Sequence, residues 1–204
     1  PDNTSARNIY EHALTRSTNT VSIGAAVRTF NAPNVVEGMV HDDVNELWYL
    51  SQEDVALTSL DSSATTWADR VNLDTVGAGN LIADVEDVAV INGPTPRVIV
   101  SSQGDSSYHV YGRNGSAWAH EKRFNIARPG GSGLVSDTDG LDIHIGNLGS
   151  DFPYGALIVH DATQDPSRFV MLPVEEIWPE LIEERLPRYV GFAALTSLWK
   201  GPST

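Results

Sequence analysis

The 204-residue chain contains no cysteine. Disulfides, thiolate metal sites and cysteine nucleophiles are therefore excluded. Positive charge is scarce: 13 Lys and Arg stand against 27 Asp and Glu, a formal net charge of −14. A surface of that sign offers little to a phosphate backbone, so neither nucleic acid nor an anionic membrane is an expected partner. No apolar run approaches the ~20 residues of a membrane-spanning helix. Neither a signal-peptide pattern nor an initiator Met precedes Pro1, and a processed protein or a fragment is expected. Common catalytic signatures are missing too. His12, His41, His109, His120, His144 and His160 show no H-E-x-x-H spacing, and there is no G-x-S-x-G elbow. Of the histidines, His41 and His160 lie within the repeats described below and are candidates to face a shared channel. "RPGGSG" (128–133) lacks the glycine spacing and the Lys of a phosphate loop and reads as a surface loop.

What is present is a chain that is 41% hydrophobic, enough for a real core. Short runs rich in Val, Ile, Tyr and Trp alternate with Gly, Asn, Asp, Ser and Pro, the pattern of β-strands and turns. "ELWYL" (46–50), "RVIVSS" (97–102), "YHVYG" (108–112) and "GALIVH" (155–160) are examples. One segment, "PVEEIWPELIEERLP" (173–187), reads as a short C-terminal helix kinked or broken at Pro179. Two triplets, Asn3-Thr4-Ser5 and Asn114-Gly115-Ser116, would accept a glycan in a secreted protein.

An internal repeat organises the strands. Segments beginning at Val36, Val85 and Thr138 each carry an acid at the second position: Glu37, Glu86 and Asp139. The acids are 49 (86 − 37) and 53 (139 − 86) residues apart. Each is followed by a strand, a polar turn, a second strand and a polar cluster. A three- or four-strand repeat of about 40–50 residues is the signature of a propeller blade. A β-sandwich with acids at its turns is the alternative architecture. On the propeller reading, residues 1–35 are the outer strands of a preceding blade, and 36–84, 85–137 and 138–186 are blades, the last with the helix. Residues 187–204 form a tail, and the whole is a partial ring of about three and a half blades.

In a propeller the equivalent acids of successive blades meet around one axis. Glu37, Glu53, Asp84, Glu86 and Asp139, with Gln103 as a neutral oxygen donor, are the candidate cation ligands. Converging carboxylates repel one another unless they are protonated or bridged by a cation. With no Cys or His in the set, hard oxygen-seeking ions are expected, and Ca2+ suits such a set. "SDTDGLDIH" (136–144) does not form an EF-hand, since that pattern needs an acid at Val135 and a Glu at Gly146.

At these same residues the sequence resembles the β-propeller phytases. The likeness is carried by "VEGMVHDDVNELWYLSQED" (36–54), "ADVEDVAV" (83–90), "SSQGDSSYHVY" (101–111), "SDTDGLDIH" (136–144) and "PYGALIVHD" (153–161). The resemblance spans roughly residues 7–180 and the C-terminal half or so of a family member. It implies a six-bladed ring and a secreted, hence extracellular, calcium-dependent phosphatase. Such an enzyme hydrolyses phytate, or another phosphorylated small molecule, as a 3-phytase type. It also implies that Glu37, Glu53, Asp84, Glu86, Gln103 and Asp139 bind calcium, with Asp84 and Glu86 orienting the attacking water. Two departures accompany it. The first acid of the family's E-E-D segment is Gln52, and an acidic ligand usual upstream of S-D-T-D-G is replaced at Gly133 or a neighbour. That second change implies that one calcium site is weakened or lost. The family's phosphate-gripping residues lie mostly in the half not represented, so the remainder of the propeller is an implied partner. Two other functions are open: a non-catalytic, calcium-stabilised propeller portion for binding or assembly, and a calcium-dependent propeller lactonase.

Overall fold

A computed structural model describes residues 7–93 and 95–180. Thirteen strands lie among them, arranged in antiparallel sheets, as an all-β reading requires. β1 (Arg7–Arg16) and β2 (Val21–Ala32) form a long hairpin. β3 (Val36–Asp42), β4 (Leu47–Gln52), β5 (Ala56–Asp61) and β6 (Val71–Thr75) form a four-stranded meander. A second meander follows from β7 (Val85–Ile91), β8 (Arg97–Ser102), β9 (Ser107–Asn114) and β10 (Ala117–Phe124). β11 (Leu141–His144), β12 (Ala156–Asp161) and β13 (Arg168–Pro173) make a three-stranded sheet. Each repeat thus becomes one sheet, an arrangement consistent with propeller blades.

The described residues fall into two compact units. The larger runs to His144 and resumes from Leu157 to Met171. The smaller comprises Ile145–Ala156 and continues from Leu172. In the smaller unit the Leu148 N–H bonds to the Phe152 carbonyl at 3.0 Å, and the Val174 N–H bonds to that of Gly155 at 3.2 Å. Its helix α1 (Val174–Ile177) is a single turn and stops at Trp178, before Pro179. Helical backbone resumes at Pro179 and Glu180, so the segment is broken next to the proline as its sequence leads one to expect; residues 181–187 lie outside the described part. Among the described residues no helix is long and apolar enough to cross a membrane.

Within the larger unit, the sheets stack face to face. Successive residues of a strand point to opposite faces. On β4, Tyr49 joins a core shared with β7, β8 and β9, whereas its neighbour Leu50 joins Phe30 of the hairpin and Leu60 of β5. A strand covered on both faces cannot alternate polar with apolar, which explains the unbroken run "LWYL". The core between the two meanders is built from Tyr49, Leu57, Leu81, Val85, Val88, Val98, Val100 and Tyr111. Each such side chain contributes about 1.5–3 kcal/mol through burial. β7 packs against both β3 and β4, and β11 packs against β7. The first strands of the three sheets are therefore neighbours in series.

Leu57→Ala is expected to lower the unfolding free energy by about 2–5 kcal/mol. Val71→Ala, on exposed β6, is expected to stay within about 0.5 kcal/mol of the parent. Urea denaturation of the two variants measures both.

Candidate functional site

The acids sit where first strands begin and second strands end. Val36 pairs with Gln52, so Glu37 and Glu53 emerge at one end of the β3–β4 ladder. Val85 pairs with Ser102, so Asp84, Glu86 and Gln103 emerge at the matching end of β7–β8. The His160 N–H bonds to the Gly140 carbonyl at 2.8 Å, which places Asp139 at the matching end of β11–β12. Two of these ladders slip at the acid. The register shifts between Val36 and Gly38 around Glu37, and between Val85 and Val88 around Glu86 and Asp87. A bulge of this kind re-aims a side chain out of the regular alternation.

Buried hydroxyls fasten each sheet to the next at this end. The Ser51 Oγ accepts the Gly38 N–H at 2.8 Å and donates to the Glu86 carbonyl of the neighbouring sheet. Ser101 repeats the device: its Oγ accepts the Asp87 N–H at 3.0 Å and donates to the Thr138 carbonyl at 3.3 Å. The backbone adds Val85 N–H to the Glu53 carbonyl at 2.8 Å between sheets, and Gln103 N–H to the Asp84 carbonyl at 2.7 Å within the second meander. Asp87 reaches the third sheet, where its Oδ2 accepts the Leu141 N–H at 2.8 Å. Burial pushes the Asp87 carboxyl up, against the pull of its backbone donors.

Two glycines make the approach possible. A Cβ at Gly104 would lie 1.5 Å from the Ala83 carbonyl oxygen, in the peptide that leads into Asp84. A Cβ at Gly38 would lie 2.7 Å from the Asp87 Cα. The glycine after Glu37 is thus demanded by the first strand of the next sheet, and the glycine after Gln103 by the segment entering the first strand of its own sheet.

The result is a concentration of like charge. Burial first, then the charges of Glu37, Asp139, Asp84 and Glu53, push the Glu86 carboxyl up to about 7. Glu53 is raised as well, by desolvation and then by Asp54, Glu37 and Asp84, with Arg7 opposing. Asp139 is flanked by the Gln103 Nε2, which donates to its Oδ1 at 2.9 Å, and by the His160 Nδ1, 3.2 Å from its Oδ2. All six sequence-read residues therefore share one end of the sheet stack.

A model of the phytase family matches residues 10–168, which takes in every one of these positions. The chain belongs to the phytase family. Among curated proteins, a 3-phytase of Bacillus subtilis (strain 168) is 30% identical over 140 residues. The aligned part is 68% of this chain and 36% of that relative, so the chain spans well under two thirds of its length.

The donor set of this phytase-family site suits a hard cation in its chemistry: carboxylates and one amide, with repulsion that a cation would relieve. Among the described residues, no three His, Asp or Glu side chains stand close enough to hold a metal ion as placed. The acids are electrostatically coupled but not drawn in. Of the two histidines singled out in the repeats, His160 lies beside Asp139 as described. His41 does not join the acids: its Nδ1 lies 2.6 Å from the Asp43 Oδ1 and its Nε2 2.7 Å from the Ser62 Oγ, against Trp48. It sits near the far end of β3, where Asp43 and Ser62 offer partners. Ser51, Ser101 and Asp87 were missed in the sequence. Their signal was available, since the repeat aligns Ser51 with Ser101 just before Gln52-Glu53 and Ser102-Gln103.

Gly104→Ala forces backbone against backbone and is expected to destabilise by at least about 1–3 kcal/mol. Gly115→Asn, at an open turn with φ +63°, tolerates the change. Thermal melts compare the two. A second expectation concerns pH in chelator-treated protein. Because the Glu86 carboxyl is raised from 4.5 to about 7, the folded state holds more protons than the unfolded state between those values. Stability therefore falls as pH rises through that window. Melting midpoints across it should drop, and Glu86→Gln should flatten the slope.

Proposed function

We propose that this chain is part of a calcium-dependent phosphomonoester hydrolase of the 3-phytase type that releases orthophosphate from phytate, outside the cell. The observation that carries this reading is the gathering of Glu37, Glu53, Asp84, Glu86 and Asp139 at one end of the stack, where burial and then these like charges push the Glu86 carboxyl up to about 7. Family membership and the similarity to a 3-phytase support it. Glu37, Glu53, Asp84, Glu86, Gln103 and Asp139 are the residues that would hold calcium. Bound calcium would supply the positive charge that a polyanionic substrate needs, and would make a water more acidic.

The chain's own groups do the rest. Asp84 and Glu86, at the start of β7, accept hydrogen bonds from the attacking water and orient it toward phosphorus. A carboxylate poised near neutrality can take the proton that the water loses as the P–O bond to the inositol breaks. The leaving alkoxide then takes up a proton to become the free hydroxyl. His160 and Gln103 keep Asp139 aligned. The serine bridges hold the sheet ends at fixed spacing, so the carboxylates cannot simply spread apart. No covalent phosphoenzyme is required.

A second reading is a non-catalytic, calcium-stabilised portion serving binding or assembly. It is favoured by acids that, among the described residues, are not drawn together. Phosphate release from phytate by the intact protein separates the two. Activity is expected with calcium and is lost with a chelator, and Glu86→Gln is expected to lower kcat on the order of 10²-fold. Release that survives complete calcium removal contradicts the enzymatic reading. Calcium-dependent melting without any release supports the second.

A further inference from the structure

Next to the third sheet lies a buried cation that belongs to the protein itself. The loop from Arg128 to Gly133 is closed by the Arg128 N–H bonding to the Gly133 carbonyl at 2.9 Å and by a bridge between Ala127 and Leu134. From it the Arg128 side chain turns inward and is only 9% exposed. Its Nε donates to the Asp161 Oδ2 at 2.8 Å and its Nη2 to the Asp161 Oδ1 at 2.5 Å, a two-pronged pair. The same Nη2 donates to the Thr163 Oγ1. Thr163 donates to the Asp161 Oδ1 at 3.0 Å, and the Ser136 Oγ donates to the Thr163 Oγ1 at 3.3 Å. Asp161 is fully buried. The Arg168 Nε stands 3.5 Å from its Oδ2, on a side chain that is half exposed.

A buried carboxylate with hydroxyl oxygens beside it is a donor set that a calcium ion could use. Here a guanidinium fills it. The loop also lacks the acid that the phytase resemblance leads one to expect near this point. Gly133 has φ +105°, a backbone region that side chains rarely adopt. The residues at this corner therefore do not fit a bound calcium ion.

We propose that Arg128 is a built-in counter-ion standing in for calcium at this corner. It holds the loop to the end of β12 without metal, and neutralising it turns the corner into a calcium-responsive site. The inference draws on the phytase reading only for the expected acid near Gly133. It does not need the six residues of the main site to bind calcium.

The test compares the intact protein with Arg128→Gln and Arg128→Lys by thermal unfolding, in chelator and in millimolar CaCl2. In chelator, Arg128→Gln is expected to melt about 5 °C or more below the parent, because buried Asp161 loses its two-pronged partner and keeps only the half-exposed Arg168 beside it. Calcium is expected to raise the Gln variant's midpoint by several degrees more than it raises the parent's or the Lys variant's. Any calcium response shared by all three belongs to the main site, so the two ideas fail separately. An equal calcium shift in all three overturns the proposal. If Arg128→Gln does not fold in either buffer, the Lys variant decides. Folding in chelator as well as in calcium supports a charge that replaces metal, and a need for calcium overturns it.

Discussion

Repulsion among carboxylates at the shared end of the sheets is the constraint on which the rest of this structure depends. Burial first, and then the charges of Glu37, Asp139, Asp84 and Glu53, push the Glu86 carboxyl up to about 7. Left alone, such a set lowers its energy by spreading. What prevents this is local and polar. Ser51 and Ser101 hand a hydrogen bond from one sheet to the next, and Asp87 carries the link on to Leu141. Gly38 permits the close approach that those bonds need. The apolar core between the meanders holds the sheets together, while the bridges fix their ends at the acids. A site under this strain gains most from a cation, because binding would remove the repulsion that the scaffold otherwise withstands.

The Asp161 corner resolves the same problem in the opposite way. A carboxylate buried without water needs a positive partner. At Asp161 the partner is covalently part of the chain, and the carboxyl is driven well below the usual carboxylate range by the Arg128 guanidinium. The two solutions suit two tasks. An internal guanidinium gives permanent cohesion and leaves no coordination position open. An exchangeable cation leaves positions open for a substrate's oxygens. On the proposed function, a chain of net charge −14 that meets a phosphorylated substrate needs the second kind, and the acids at the first strands of the sheets are the residues proposed to hold it.

Much of this was legible in the sequence, because the repeat does two jobs at once. Runs such as "RVIVSS" announce strands, and the recurrence of Glu37, Glu86 and Asp139 announces that equivalent strand ends come together. The motif glycines were visible, but their reason was not: Gly38 is required by Asp87 of the next sheet and Gly104 by the backbone at Ala83, 21 residues back along the chain, which no local pattern reveals. Ser51 and Ser101 look like any serine at a strand end until the neighbouring sheet is in place. His41 illustrates the limit of the repeat argument. It lies in the right segment but near the wrong end of its strand, where Asp43 and Ser62 hold it. Arg128 was hidden in a glycine-rich loop whose composition suggests only mobility, with its partner 33 residues away.

The central claim is that the crowded carboxylates exist to receive calcium. Calcium titration of the intact, metal-stripped protein by calorimetry in buffers of different ionisation heat, at a pH just below 7, tests it most directly. Glu86 is partly protonated there, so calcium binding at this site must expel its proton. The account predicts calcium binding with net proton release, and the loss of that release in Glu86→Gln. Absence of binding, or binding without proton release in the parent protein, would contradict it.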